Sequence, residues 1–213
     1  MSSGKAVFLV ELTLVLLLKA VPLLHLPFDW FQTFFHELSH GIAALLTGGR
    51  IQSIEIAADG SGRCTTLGGI SQLILFSGYT GSSLWGLLSY LSVSAKSAKT
   101  IALSLGAGVV LVGVLWVRDW QTVLILITIT ALFLFAYRFG NRKLTQHFVA
   151  FTGLYVVVES LRAPFYLVDG QSVGDGGMLA RLTGVPEFVW IGIWALIALG
   201  ALVLLYTGVF GRR

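Results

Sequence analysis

Residues His36, Glu37, Leu38, Ser39 and His40 read H-E-x-x-H. On a helix, two histidines four apart share one face and can present both imidazoles to a single ion. Glu37 lies about 100° around the same helix, a placement suited to work on a water at the metal rather than to ligate it. Zinc held in this way lowers the pKa of its water to about 7, and a neighbouring carboxylate takes the proton as attack begins. The lone cysteine, Cys64, excludes an internal disulfide and any Cys-rich zinc cluster, which leaves His and carboxylate ligands for Zn2+. Two ordinary helix histidines are the competing reading. It is weakened by the flanks WFQTFF and IAALL, among which ionisable groups are costly unless paired or metal-bound.

A third ligand has two candidates, Asp169 in VDG and Asp175 in GDGG, both followed by glycine. Glycine frees the backbone to bring a carboxylate close to an ion. Asp175 is favoured, because Met178, Leu179 and Leu182 can form the inward face of a short helix that fixes the ligand. Asp169 would then cap a turn, orient a histidine or face water.

The elements that hold these residues belong to a lipid-immersed chain. Of 213 residues, 56% are hydrophobic and 11% charged, against about 25% charged in a soluble domain; mean hydropathy is +0.87. Apolar stretches near the ~20 residues that cross a bilayer run over 6–24, 30–47, 70–93, 100–117, 122–137, 148–168 and 188–210. They predict an all-α integral membrane protein, one polytopic domain over 1–213 with six to seven transmembrane helices. The 30–47 and 122–137 pieces are short enough to be tilted or re-entrant. The net charge of +4 comes from Lys and Arg scattered between apolar segments, with no basic stripe, so no nucleic-acid partner is expected. The run after Lys5 has no A-x-A-like cleavage site and is read as a helix.

Two stretches interrupt the helical pattern. RIQSIEI, from Arg50 to Ile56, alternates apolar and polar residues and runs into ADGSG, predicting a hairpin over 50–66. Its strand, Arg50, Ile51, Gln52, Ser53, Ile54, Glu55 and Ile56, is the candidate substrate-docking edge, since an extended chain gains main-chain hydrogen bonds there. The stretch 169–186 is Gly-rich and reads as a loop returning into the membrane. Small residues in SGYTGSSLWG (77–86) read as helix packing.

Phe34 to Ile56, FFHELSHGIAALLTGGRIQSIEI, and Asp175 to Pro186, DGGMLARLTGVP, resemble the site-2 protease family of intramembrane zinc metalloproteases, and more closely its compact bacterial branch. The resemblance implies that His36 and His40 are ligands, Glu37 is the catalytic carboxylate, and the aspartate of a later DG motif, Asp175, is the third ligand. It also implies an integral, multi-pass protein of a bacterial cytoplasmic membrane that cuts substrates with a single transmembrane segment within the lipid bilayer. The Asn-Pro pair that often precedes the family's DG motif is missing, and there is no inserted PDZ-like domain. The expected reaction is peptide-bond hydrolysis in or near a substrate's transmembrane segment. A metal-binding membrane scaffold or transporter without proteolytic activity is the rival.

Other polar residues in apolar segments are read as structural. Glu11 and Lys19 stand eight apart, about 12 Å by helical rise, too far to bond each other, and each is expected to pair elsewhere. Glu159 and Arg162 are spaced for an ion pair, and His25 and His147 fall at segment edges.

Overall fold

A computed structural model describes residues 3–21, 23–167 and 174–208. Its elements are α1 (Ser3–Lys19), α2 (Leu26–Leu46), β1 (Arg50–Ile56), β2 (Gly62–Leu67), α3 (Ser71–Ser92), α4 (Ala98–Trp116), α5 (Trp120–Phe139) and α6 (Arg142–Arg162). A 3-10 turn (Ala163–Leu167), α7 (Asp175–Thr183) and α8 (Glu187–Gly208) complete the described chain. The protein is mostly helical, with one small antiparallel hairpin.

Among the described residues, four helical stretches are long and apolar enough to cross a membrane: Ala98–Trp116, Trp120–Phe139, Arg142–Tyr166 and Glu187–Gly208. This is an integral membrane protein. The other three long helices fall outside that group for separate reasons. α1 has 17 residues, short of the ~20 that span a hydrocarbon core. α2 carries Asp29, His36, Glu37 and His40, and α3 is rich in Ser and Gly. α2 and α5, at 21 and 20 residues, start before the apolar runs read from the sequence, α2 taking in Leu26 to Asp29 and α5 Trp120 and Gln121; Asp119 caps α5 by accepting from the Thr122 amide.

α6 is the central strut, 67% buried over its most apolar window against 28–33% for the other three candidate spans. It crosses α3 at a close approach. A Cβ on Gly86 would lie 2.5 Å from the Gly153 carbonyl oxygen, and one on Gly153 would lie 2.7 Å from that of Gly86. The Ser82 and Ser160 hydroxyls meet alongside at 2.8 Å. Backbones come this close only where side chains are small.

The polar residues of the apolar segments find partners at these crossings. Lys19 Nζ lies 2.8 Å from Asp29 Oδ1 and 3.2 Å from Glu159 Oε2, joining α1, α2 and α6. His25 donates to Asp29 across 2.6 Å. The Glu159–Arg162 pair is looser, at 3.9 Å, because the Glu159 carboxylate turns inward to Lys19. Glu11 accepts from Tyr90 and His147 at 3.1 and 3.0 Å.

The hairpin lies along α2 instead of projecting from the bundle. Gly41 packs on Ile51 and Cys64, Glu37 and Thr33 on Gly62, the Thr33 hydroxyl donates to the Gly60 carbonyl, and Trp30 Nε1 donates to Ala58 O. A Cβ on Gly41 would sit 2.5 Å from Ile51 Cδ1, so the glycine directly after the histidine motif lets β1 in. Non-helical backbone inside a membrane bundle must be buried in protein or line a wet cavity, and each strand meets one of these conditions. β1 buries Ile51, Ile54 and Ile56, and its last residue is closed off by α5, the Ile56 amide donating to Thr122 Oγ1 at 2.8 Å. β2 faces the cleft described next. Within the 169–186 stretch, read as a Gly-rich loop, the short helix expected to fix Asp175 is present as α7, and 168–173 lies outside the described residues.

Candidate metal centre

His36 and His40 project from α2 on one face, their Nε2 atoms 2.9 Å apart. Asp175, the first residue of α7, brings Oδ2 to 3.1 Å from His36 Nε2 and 3.2 Å from His40 Nε2. The three donor atoms thus form a nearly equilateral triangle. Tetrahedral zinc with bonds of about 2.0–2.1 Å separates its ligand atoms by about 3.3 Å, close to every edge.

Donor chemistry gives the same answer as geometry. His40 Nδ1 lies 2.6 Å from the Ile74 carbonyl oxygen; a carbonyl only accepts, so the Nδ1 proton is committed there. Nε2 of a neutral His40 therefore presents a lone pair to the centre, facing a carboxylate oxygen. Two acceptors so close want a cation between them, and fixing the far imidazole nitrogen is how metal-ligating histidines are oriented. The residues fit a zinc ion, and among the described residues His36, His40 and Asp175 are the group of three that could hold a metal.

Glu37 stands beside the triangle without belonging to it. It is buried, the Cys64 backbone N–H of β2 is aimed at its carboxylate, and Gly62 leaves it room: a Cβ there would lie 2.5 Å from Glu37 Oε1. The triangle and Glu37 open on a cleft of about 1200 Å³ walled by α2, β2, α3, α7 and the 3-10 turn. Polar side chains and β2 backbone line it, as water access requires.

Asp175 is held by α7, whose Leu179 is fully buried against Leu75, Ile191 and Trp194. Met178 and Leu182, expected to face inward with it, are 44% and 50% exposed and line the cleft. On a nine-residue helix only one narrow stripe meets α3 and α8. Asp169 lies outside the described residues. Arg50, Ile51, Gln52, Ser53, Ile54, Glu55 and Ile56 are absent from the cleft wall, where β2 supplies residues 62–66 instead. Alternation located a strand but did not tell which of the paired strands has the open edge.

Gly78 was missed at the sequence level. A Cβ on it would lie 2.5 Å from His36 Cε1 and 2.6 Å from His40 Cε1, so α3 reaches the imidazoles only because residue 78 has no side chain. The signal was present in SGYTGSSLWG, where small residues read as packing alone.

A sequence model of the family described as Peptidase M50B-like matches residues 8–205. The chain belongs to this peptidase family. The M50B-like match takes in the histidine motif, the hairpin and α7, and it bears out the resemblance to site-2 proteases. No curated protein and no solved structure gives a match to the chain.

Proposed function

We propose that this M50B-like protein is a zinc-dependent endopeptidase of the HExxH type that hydrolyses a peptide bond in or near the transmembrane segment of a single-span membrane protein. The observation that carries the reading is the His36–His40–Asp175 triangle with Glu37 beside it on one cleft that has polar side chains in its wall. Zinc, when held by those three residues, supplies the Lewis acidity that polarises a carbonyl and makes water a nucleophile near neutral pH. Glu37 accepts the proton of the attacking water and passes it to the leaving amide nitrogen. Ile74 holds His40 in the tautomer that ligates, and Gly62 and the Cys64 amide hold the Glu37 carboxylate at the cleft wall.

The substrate must be extended before its carbonyl is accessible, because helical hydrogen bonds cover the scissile bond. β2 suits this role, since its outer edge lies along the cleft while the end of β1 is closed by Thr122. The docking edge assigned to Arg50–Ile56 is therefore moved to its partner strand. The reading also takes α1, α2 and α3 as membrane-embedded, giving six to seven spans in one domain. The apolar outer face of α1, with Val10, Leu14 and Leu17 at least half exposed, is suited to lipid. Placement in a bacterial cytoplasmic membrane follows from the resemblance to the compact bacterial branch.

A metal-binding scaffold or transporter would hold the same ion without turnover. Glu37→Gln separates the two, because Glu37 is not one of the three donors. Metal content is expected to stay at one ion per chain while cleavage of a single-span substrate falls at least ~100-fold, the lower end of general acid–base contributions. Cleavage at the unaltered rate by Glu37→Gln would overturn the assignment.

A further inference from the structure

The proposed mechanism provides a base and a metal site, but no side chain for the charge that develops on the scissile carbonyl oxygen. Tyr79 lies beside the candidate ligands on the wall of the same cleft. It follows Gly78, the residue that lets α3 touch both imidazoles, and its ring meets the His36 ring edge-on at 4.4 Å. Behind it the ring rests on Trp194 at 4.9 Å, and the indole of Trp194 is tied by its N–H to Phe76 O at 3.1 Å. The ring is thus braced between α2, α3 and α8.

Tyr79 lines the same cleft as His36, Glu37, His40 and Asp175. Among the described residues its hydroxyl makes no hydrogen bond to the protein; the side-chain bonds at this residue go to its carbonyl, from Ser82 and Ser83. On the same wall the Thr33 hydroxyl donates to Gly60 O and the Ser61 hydroxyl to Asp59, while Thr65, Thr66 and Ser71 have no ring wedged against the imidazoles to fix them. A rigid donor with no protein acceptor, beside the ligands and open to the cleft, is the description of a preorganised oxyanion donor.

We propose that Tyr79 is a second catalytic residue, donating its phenolic O–H to the scissile carbonyl oxygen as negative charge builds there. The inference rests on the endopeptidase reading. Water oxygen bonds to the carbonyl carbon, the π pair of the C=O bond moves onto its oxygen, and the water proton passes to Glu37. On collapse the C=O bond re-forms, the C–N bond breaks with its pair going to nitrogen, and Glu37 returns the proton to that nitrogen. The products are a carboxylic acid and an amine. The phenol keeps its proton throughout and contributes a hydrogen bond that strengthens in the transition state.

Tyr79→Phe tests this, because it keeps the ring on His36 and Trp194 and removes only the hydroxyl. The zinc-loaded full chain in bilayers is compared with the unaltered protein on one single-span peptide, and on a phosphinate analogue of that peptide that is tetrahedral at the scissile position. Removal of one oxyanion donor typically costs about 10²–10³ in kcat. The expected result is a fall in kcat of about 100-fold, a comparable loss of affinity for the phosphinate, and unchanged KM and zinc content. Equal kcat in the two proteins would overturn this proposal alone, as would a loss of zinc that accounts for the lost rate. Absence of cleavage by the unaltered protein would overturn the endopeptidase reading and the role of Tyr79 with it.

Discussion

A methyl group on Gly78 would meet His36 and His40 at 2.5–2.6 Å, and one on Gly62 would meet the Glu37 carboxylate at 2.5 Å. The two glycines therefore protect different halves of the proposed chemistry, and substitution separates them. Gly78→Ala is expected to weaken metal binding at least tenfold, in the range seen when the surroundings of a ligand are disturbed, with activity falling in step. Gly62→Ala is expected to leave metal content unchanged and lower kcat by displacing the proton carrier. Metal analysis beside peptide kinetics on both variants checks this, and the same response from both would contradict the division. The histidine pair and Glu37 were legible because H-E-x-x-H is a local pattern on one helix. Gly78 was not, since its role depends on how α3 crosses α2, which spacing within α3 does not encode.

The hairpin and α7 show what alternation and composition reveal of an element and what they leave to packing. Period-two alternation located β1, and ADGSG located the turn. The open edge depended on neighbours: Ile54 is fully buried, so proline there would break the core and would not test docking. On β2 the Cys64 amide points at Glu37, and backbone amides two residues apart on a strand point the same way, which puts the Thr66 amide on the cleft side. Thr66→Pro is expected to lower kcat/KM about fivefold, the weight of one main-chain hydrogen bond, with zinc content unchanged. Kinetics indistinguishable from the unaltered protein would remove β2 as the docking edge. For α7, the expected short helix forms despite the paired glycines at Gly176 and Gly177, because burial of Leu179 between α3 and α8 supplies what intrinsic helix propensity lacks. That burial also holds Asp175 rigidly as a candidate ligand.

At the scale of the whole molecule, hydropathy marked the membrane class and the approximate position of every long helix. It could not rank them by burial. α6, moderate in hydropathy at 1.3, is the central helix, while α8, the most apolar at 2.6, is peripheral. The reason is physical: lipid-facing helices must be apolar on their outer side, whereas a helix enclosed by others can carry Thr, Ser and Glu that bond its neighbours. The bundle in turn accommodates the proposed hydrolytic site in such a chain. β1 packs its isoleucines on the bundle and ends on α5, β2 borders the cleft, and the candidate ligands converge from α2 and α7 on that cleft. The measurement that tests this account most directly is mass spectrometry of single-span peptides incubated with the purified protein in bilayers, before and after removal of metal by a chelator and restoration with zinc. The account predicts fragments cut in or next to the transmembrane segment, their loss on chelation and their return with zinc; cleavage that persists unchanged in the metal-free protein would contradict it.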